Sequence, residues 1–570
     1  MKMEKMPEVI KTDAGAFWSN SYENFDVEVY VPKSPLQGDI LNYGFIAPYL
    51  LIFNDKKLTR EEEITFAREK GFEKLASDFD SSVVFITPKT NDWKSASPDI
   101  LSEIISNSKI HQYHKDGVVI ANNFFRHSID GYYIRGAIFR ILLCGFGSGA
   151  DYIAKNCLCH FEGDGLWGRS DLAPASCVLS GLSVLPELKA DDIPVISYGN
   201  SMQANEILEK GCKYFLSRSQ PASATVFEKD FYDFARRFRR MNGPLQIDPD
   251  LEKDGLVIEP GVAEVKTSAD NCGDDKGTAS HKIGYFSFYN KGLFDDDSAC
   301  GGAGSTASVG ADTESGGANA EGGGSGPANG VPLVLGFHGG GDSCFFFATM
   351  AGWAKIAHRH NFLLVTIENH LNSTATEMIE FVEILKKKYK IDTTRIYVTG
   401  FSMGGCKSWD MVQEYPQVIA AAAPMDATFD VGCNVYGNKV EAGINTTIPV
   451  PVFYAGGEVT PLPELPCQAQ KCLDRMSYVL WLNNATAAQR YDDEVVLENK
   501  ENWENKIWGI NGDEVEQLYD ESRDATLTMQ KFRSTDGRVL SVFASISGQG
   551  HDCREHTCEQ AWQFMSHFHR

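Results

Sequence analysis

Short apolar runs recur along the whole chain, separated by stretches in which apolar residues have helical spacing. The runs are nearly continuous and are bounded by glycine or proline, as at 332–337 and 395–399, which is typical of parallel strands covered on both faces. Between them, apolar residues of the segment 375–390 recur at helical spacing before a Lys-rich last turn. The alternation of strands and helices predicts an α/β protein with doubly wound sheets.

The same order of predicted elements occurs twice along the chain. The apolar run at 48–54 corresponds to the run at 332–338, and RILLCGFGSGA at 140–150 corresponds to RIYVTGFSMGG at 395–405. Self-similarity of this kind predicts two related domains in tandem.

A segment rich in glycine, alanine and serine, 297–330, lacks the large apolar residues that a packed core requires. Strand patterns at 261–267 and 282–289 precede it and another strand pattern follows it, so we expect a flexible loop inside the second domain. A basic and aromatic helix is predicted at 227–240. These patterns predict a first domain at 1–245 and a second at 246–570.

Charge and hydropathy narrow the range of partners and locations. The net charge is −24 and lysine and arginine form no extended cluster, which argues against nucleic-acid binding. The first residues contain no apolar stretch of a secretory signal, so the expected location is cytoplasmic. The apolar run 418–425 falls far short of the roughly 20 residues of a membrane span, and the 14 cysteines are expected to be buried or free thiols.

Ser402 is the predicted nucleophile. It lies in Gly-Phe-Ser-Met-Gly at 400–404, after the predicted strand 395–399 and before a predicted helix at 405–414. A serine between small residues at such a strand–helix turn is held in a strained conformation with its hydroxyl exposed.

A glycine-rich loop is predicted to supply backbone donors for an oxyanion. His338 and three glycines, 339–341, follow the apolar strand at 332–337, and glycine lets a substrate carbonyl approach the main chain. We assign the oxyanion hole to the N–H of Met403 with one N–H from the loop, Gly339 and Gly340 being the principal candidates. His338 is expected to brace the loop.

His551 is the predicted general base, because a serine hydroxyl needs a nearby imidazole to accept its proton. It follows a predicted strand at 539–546 and precedes a predicted helix at 557–568. The third residue, a carboxylate, should come between serine and histidine in the chain. Glu458 is the first choice and Glu464 the second, because prolines between them can turn the later carboxylate inward.

With these motifs, the second domain resembles the α/β-hydrolase esterases that include polyhydroxybutyrate depolymerases and feruloyl esterases. The resembling segments are LVLGFHGGGD, IDTTRIYVTGFSMGG with its following helix, and GQGHD. The resemblance implies hydrolysis of a small-molecule carboxylic ester through an acyl-enzyme, without a metal or organic cofactor. Glutamate where aspartate is usual, and the preceding first domain, depart from that family.

The first domain is predicted to be a hydrolase-like domain without catalytic residues. Gly147 stands at the position of Ser402, and 54–57, Asn-Asp-Lys-Lys, stand where the glycine loop would be. Ser201 falls opposite Glu458, and Pro221 falls opposite His551. The hypothesis is that this domain covers the catalytic cleft, restricts substrates or mediates self-association into a homo-oligomer.

Two alternatives remain open from the sequence. One is a serine peptidase or amidase of the prolyl-oligopeptidase kind, although nothing in the chain resembles a propeller. The other is a binding or scaffold protein whose second domain has lost activity.

Overall fold

A computed structural model describes most of the 570-residue chain. The described residues are 8–34, 47–79, 81–106, 112–115, 118–122, 136, 140–165, 168–240, 243, 245–247, 254–266, 280–294, 330–340, 343–435, 437–440, 443–521 and 523–570. The predicted flexible loop at 297–330 lies almost wholly outside them.

The chain forms two compact units. The first comprises Met1–Asp250 with Gly341–Phe346, and the second comprises Leu251–Gly340 with Phe347–Arg570. Each unit contains its own large sheet and its own apolar core.

The first unit contains the strands β1–β15 and the helices α1–α6 among its described residues. The strands are Ile10–Lys11, Gly15–Ser21, Phe25–Pro32, Tyr49–Phe53, Val83–Pro88, Gln112–Lys115, Val118–Asn122, Ile141–Phe146, Phe161–Gly165, Gly168–Leu172, Ser176–Ser180, Val195–Tyr198, Phe215–Arg218, Phe238–Arg240 and Leu245–Ile247. The helices are Arg60–Glu69, Phe72–Asp78, Ile100–Ser106, Ser148–Asn156, Met202–Gly211 and Ala224–Asp233.

The second unit contains the strands β16–β25 and the helices α8–α13 among its described residues; α7, Cys344–Met350, begins in residues assigned to the first unit and ends in the second. The strands are Leu256–Lys266, Ser280–Asn290, Val331–Phe337, Leu363–Ile367, Ile391–Phe401, Ala421–Met425, Val452–Gly457, Glu514–Asp520, Ala525–Arg533 and Val539–Ile546. The helices α8–α13 are Trp353–His360, Ala375–Lys388, Met403–Glu414, Gln470–Leu482, Ala488–Glu494 and Glu555–Met565.

The two large sheets have the same strand order over eight strands. The first runs β2-β3-β5-β4-β8-β11-β12-β13, with β1 added at one edge, and the second runs β16-β17-β19-β18-β20-β21-β22-β25, with β24 and β23 added at the other edge. In each sheet, the last six of those eight strands are parallel to one another. The first strand pairs antiparallel with the second, and the second pairs antiparallel with the third. The sheets are therefore mixed, where the sequence predicted doubly wound sheets in general terms.

The central strands are buried because both faces of each sheet are covered. Every residue of β4, β8 and β21 is buried, as expected for strands that lack polar alternation. Large side chains such as Trp409, Tyr454 and Trp508 fill the core of the second unit.

One predicted helix is wrong in length and kind. The segment predicted as a helix at 227–240 is helical only to Asp233, and Phe238–Arg240 is the strand β14, paired with β15. The arginines of β14 are buried, and Arg240 donates to Asp192 and to the Pro174 carbonyl. These tertiary contacts outweigh the local helical pattern, and the alignment that set Pro221 opposite His551 loses its basis.

Two further features bear on the expectations from composition. In the part of the chain that the structure describes, no helix has both the length and the apolar character of a membrane span. The cysteines within the described residues are free thiols.

Candidate active site

Ser402 occupies the turn between β20 and α10. Its backbone has φ 55° and ψ −121°, in the region that non-glycine residues rarely adopt, at a cost of about 1–3 kcal/mol. Its N–H donates to the Met425 carbonyl oxygen at 3.0 Å, which fixes this turn to the end of the neighbouring strand β21.

Glycines allow this turn to form because the backbone packs too closely for a side chain. A Cβ at Gly404 would overlap the carbonyl oxygen of Phe337, and a Cβ at Gly400 would overlap that of Gly404. The predicted strand, turn and helix are therefore present, and the helix begins at Met403, two residues earlier than predicted.

The glycine loop lies against the same turn. A Cβ on Gly339 would lie 3.5 Å from Cβ of Ser402, and a Cβ on Gly340 would lie 2.8 Å from Sδ of Met403. Gly341 lies outside the described residues. The buried His338 ring has its Nδ1 2.7 Å from the Gly339 carbonyl oxygen and its Nε2 2.6 Å from that of Glu368, contacts that suit a brace of this loop.

His551 lies in the loop between β25 and α13, as the sequence predicted. Its ring packs on Phe401, the residue before Ser402, with ring centroids 4.6 Å apart. Its Nδ1 lies 3.1 Å from Oε2 of Glu464, so a proton on Nδ1 would be donated to that carboxylate and the Nε2 lone pair would be left free. Neither Nε2 nor the Ser402 hydroxyl has a hydrogen-bond partner among the described residues.

The carboxylate beside His551 is Glu464, so the preference for Glu458 is corrected. Glu464 is buried and its Oε2 also accepts a hydrogen bond from Thr460 Oγ1 at 3.0 Å. Glu458 instead accepts a hydrogen bond from the Ser545 hydroxyl at 2.9 Å. Between the two glutamates, the chain passes through the exposed residues Pro461 and Pro463. The course of this loop places Glu464, not Glu458, beside His551.

Asp426 is a third acidic residue of the site, and the sequence interpretation missed it. It follows β21 directly, has φ 45° and is 1% exposed. Its Oδ1 accepts from the Gly457 N–H at 2.8 Å and its Oδ2 from the Asp552 N–H at 3.0 Å. A signal existed: a carboxylate at the end of a parallel strand next to that of the nucleophile, in Ala-Pro-Met-Asp, lies at the sheet edge where sites form.

The electrostatics of Asp426 follow from its burial. Burial raises the pKa of its carboxyl well above the ordinary value, and repulsion from the Glu464 carboxylate raises it further. The hydrogen bonds from the Gly457 and Asp552 amides lower this pKa, but by less.

One atom each of Asp426, Glu464 and His551 lie within 4.8 Å of one another. A metal ion can bridge groups at this spacing. Donors already face the carboxylate oxygens: two amides for Asp426, and Thr460 Oγ1 with the His551 ring for Glu464. Because these hydrogen bonds use the lone pairs that a cation would need, the cluster is poorly suited to holding a metal ion.

Comparisons with known proteins find curated relatives among enzymes that cleave esters, and one of them is also a xylanase. The chain is 28% identical over 136 residues to a bifunctional acetylxylan esterase/xylanase of Neocallimastix patriciarum, covering 22% of this chain and 19% of the relative. It is 27% identical over 118 residues to poly(3-hydroxyalkanoate) depolymerase C of Paucimonas lemoignei, covering 17% of this chain and 28% of the relative. The chain thus spans 19% and 28% of the lengths of these two curated relatives. No protein-family model matches it.

Among solved structures, the chain is similar to the acetyl xylan esterase from Aspergillus awamori. The identity is 11% and the TM-score 0.31, and the match covers 54% of this chain and 99% of that one. The resemblance to the esterase group that includes polyhydroxybutyrate depolymerases is confirmed by the relatives, which are carboxylic ester hydrolases. The strand order and the turn at Ser402 give the second unit an α/β-hydrolase-like fold.

Proposed function

We propose that the second unit hydrolyses carboxylic esters through an acyl-enzyme formed on Ser402. The observation that carries the proposal is the left-handed backbone of Ser402 at a strand–helix turn, beside a glycine loop and a histidine paired with a carboxylate. The curated relatives, an acetylxylan esterase/xylanase and a polyhydroxyalkanoate depolymerase, support the same reaction class.

In the first half-reaction, Ser402 Oγ attacks the ester carbonyl carbon while Nε2 of His551 accepts the hydroxyl proton. Glu464 accepts the Nδ1–H of that ring and stabilises the imidazolium that forms. The bond between the carbonyl carbon and the leaving oxygen then breaks, and His551 returns its proton to the departing alcohol.

The oxyanion of the tetrahedral intermediate is proposed to lie between the glycine loop and the start of α10. Met403 is the first residue of that helix, so its N–H has no partner inside the helix. This N–H and one from Gly339 or Gly340 would donate to the oxyanion, each donor contributing about 10²–10³ in rate.

In the second half-reaction, water attacks the acyl group on Ser402 while His551 accepts a proton from it. The carbonyl carbon then releases Ser402 Oγ, which recovers a proton from His551. The products are the carboxylic acid and the free enzyme, and no external reductant, oxidant or metal enters the balance.

Exposed apolar side chains near these loops support a small-molecule ester with an apolar acyl or aryl group. Met403 is 37% exposed, and Val459 and Leu462, in the loop that carries Glu464, are 62% and 43% exposed. Apolar side chains of this kind lower the free energy of contact with an uncharged substrate.

Labelling with a fluorophosphonate probe tests the proposed nucleophile. We expect one probe per wild-type chain, none on Ser402→Ala, and unchanged labelling on Ser148→Ala, the matched serine of the first unit's Gly-Phe-Gly-Ser-Gly. An unlabelled wild type, or a labelled Ser402→Ala, would contradict the proposal.

A substrate panel tests the reaction class. p-Nitrophenyl acyl esters and feruloyl esters should be hydrolysed, and aminoacyl anilides should not be. Cleavage of the anilides at rates comparable with the esters would favour a peptidase or amidase instead.

Matched glutamine variants test the choice of acid. Glu464→Gln should lower kcat/KM at least about ten-fold, because the imidazolium loses the carboxylate beside Nδ1. Glu458→Gln should leave kcat/KM within two-fold of the wild type. The reverse result would restore Glu458 as the acid.

We also propose that the chain is a tandem of hydrolase-like domains and that the first lacks catalytic residues. Supporting observations are the shared strand order and the turn at Gly147, which has φ 54° and ψ −121°. The single label per chain expected above tests this. That the first unit restricts substrates or mediates self-association stays a prediction. Light scattering of the intact chain checks the self-association.

A further inference from the structure

Asp426 connects the three segments that carry the proposed catalytic residues. Its carboxylate accepts hydrogen bonds from Gly457, at the start of the Glu464 loop, and from Asp552, the residue after His551. The preceding residue, Met425, accepts the Ser402 N–H, and the Asp426 N–H itself donates to Ala455 O at 2.8 Å. A change at Asp426 would therefore alter the positions of Ser402, Glu464 and His551.

The Asp426 carboxyl group is also close enough to act on His551 electrostatically. Single atoms of the two carboxyl groups and the imidazole lie within 4.8 Å of one another, and Asp426 and Glu464 are 1% and 5% exposed. Two carboxylates this close and this buried resist simultaneous ionisation, because neither water nor distance screens their repulsion.

The other charged groups around Asp426 do not offset this repulsion. Asp552 adds a further negative charge, and its own carboxylate pairs with Arg554 at 2.6 Å. The pKa of Asp426 is raised, first by burial and then by Glu464, which fits a pair in which Asp426 keeps the proton.

The first unit has the same backbone without this carboxyl group. Gly181 follows β11 as Asp426 follows β21, with φ 77° against 45°, and Ser180 O accepts the Gly147 N–H as Met425 O accepts that of Ser402. The fold therefore makes this turn without an acidic side chain. The presence of aspartate in the unit that has serine and histidine points to a role in the reaction.

We propose that Asp426 and Glu464 form a carboxyl pair that holds a single negative charge beside His551, with Asp426 as positioning residue and reserve acid. The proposal rests on the proposed esterase function. In the wild type, Glu464 bears the charge and Asp426 keeps the proton while fixing the two loops. When Glu464 is made neutral, the repulsion disappears, Asp426 ionises, and it takes over stabilisation of the imidazolium.

A double-mutant cycle on the full chain tests the reserve role. We expect Glu464→Gln alone to lower kcat/KM about ten-fold and Asp426→Asn alone to lower it less than ten-fold. The double variant should lose about 10³–10⁴-fold, the loss expected when a histidine base has no carboxylate partner. Asp426→Asn would then cost much more in the Glu464→Gln background than in the wild type.

A residue with only a structural role would give a different cycle. Its loss would multiply kcat/KM by the same factor in both backgrounds, and that result would overturn the reserve role. Asp426→Ala serves as a second variant in case the amide of Asn disturbs the Gly457 or Asp552 hydrogen bond. Melting temperature and Ser402 labelling confirm that each variant is folded.

Infrared difference spectra test the shared proton independently of activity. The wild type minus Asp426→Asn at pH 7 should show the C=O stretch of a protonated carboxylic acid, and an ionised Asp426 would give none and overturn the pair. This measurement does not depend on turnover. An inactive, unlabelled wild type that shows the band would refute the esterase but retain the pair, whereas an active wild type without the band would refute only the pair.

Discussion

The two units contain the same turn at the end of corresponding strands, and only one turn has a serine, the proposed nucleophile, at its centre. Ser402 has φ 55° and ψ −121°, and Gly147 has φ 54° and ψ −121°. Each N–H donates to the carbonyl oxygen at the end of the next strand, Met425 or Ser180. The backbone of this turn can thus form without a serine at its centre.

Close packing explains why the turn persists in the first unit. A Cβ at Gly149 would overlap the carbonyl oxygen of Phe53, as one at Gly404 would overlap that of Phe337. These glycines are required by the strand–helix packing alone. A glycine-rich turn is therefore evidence of the fold, and only the side chains that surround it are evidence of activity.

The first unit fills its own turn with a carboxylate. The Ser148 N–H donates to Oδ1 of Asp55, and a Cβ on Gly147 would overlap the same carboxylate. Ser148 corresponds to Met403, whose N–H we assign to the oxyanion. At this turn the Asp55 carboxylate therefore lies against the amide that corresponds to Met403, and glycine stands at the position of Ser402.

Removing His551 should abolish the proposed esterase activity of the second unit. The chain has no histidine between β13 and position 250, whereas His551 follows β25. We expect His551→Ala to lower kcat about 10⁵–10⁶-fold, measured with p-nitrophenyl esters. His567→Ala, in the last residues of the chain, is the control and should keep full activity. An active His551→Ala would mean that His551 is not the base and does not distinguish the two units.

Alanine at the paired glycines should destabilise both units but inactivate only one. Because each Cβ meets a backbone oxygen, Gly149→Ala and Gly404→Ala should each lower the free energy of unfolding by about 2–3 kcal/mol. Urea denaturation measures the loss, and ester hydrolysis should fall only in Gly404→Ala. A neutral Gly149→Ala would show that the first turn is less tightly packed than the second.

Reciprocal changes at the two turns should shift stability in opposite directions. Relative to Ser402→Ala, which retains the strained backbone, Ser402→Gly should raise the free energy of unfolding by about 1 kcal/mol. Gly147→Ala should lower it by about 1–3 kcal/mol, since its Cβ also displaces Asp55. Equal stability of Ser402→Ala and Ser402→Gly would argue that the second turn is unstrained.

The smallest difference concerns one glutamate in each unit. Burial raises the pKa of Glu63 to about 9, with repulsion from Glu28 adding to it, and raises that of Glu414 to about 7, with Asp410 adding to it. A raised carboxyl pKa means that the folded state holds a proton that the unfolded state releases. Stability therefore falls as pH rises from the ordinary pKa to the raised one.

Glutamine at either position should remove the contribution of that glutamate to the fall in stability with rising pH. The gain in melting temperature of Glu63→Gln over the wild type should grow up to about pH 9, and that of Glu414→Gln should level off near pH 7. The final gain should be larger for Glu63→Gln than for Glu414→Gln, because the pKa of Glu63 is raised further. Thermal melts from pH 5 to 9 measure both. A gain independent of pH would mean that these carboxyls are ionised in the folded chain.

Most of the fold and part of the candidate site could be predicted from the sequence. Apolar runs and the duplicated glycine motif predicted the strands and the turn at Ser402, because parallel strands and close backbone packing leave local traces. The strand at Phe238–Arg240 was missed because long-range contacts of its arginines decide its conformation. Glu464 was ranked second because a proline-containing loop determines which glutamate meets His551.

Asp426 was missed for a different reason. Its partners Gly457 and Asp552 are 31 and 126 residues away in the chain. The residues Ala-Pro-Met-Asp give no local signal that identifies these partners. Only the order of strands in the sheet brings those backbone amides to it.

The carboxylate of Asp55 accepts the Ser148 N–H and so occupies the place that corresponds to the proposed oxyanion site of the second unit. It records how a short anionic group lies against the first amide of a helix at a turn of this geometry. A compound that presents a carboxylate or boronate to the Met403 amide in the same pose has its template in the other half of the molecule.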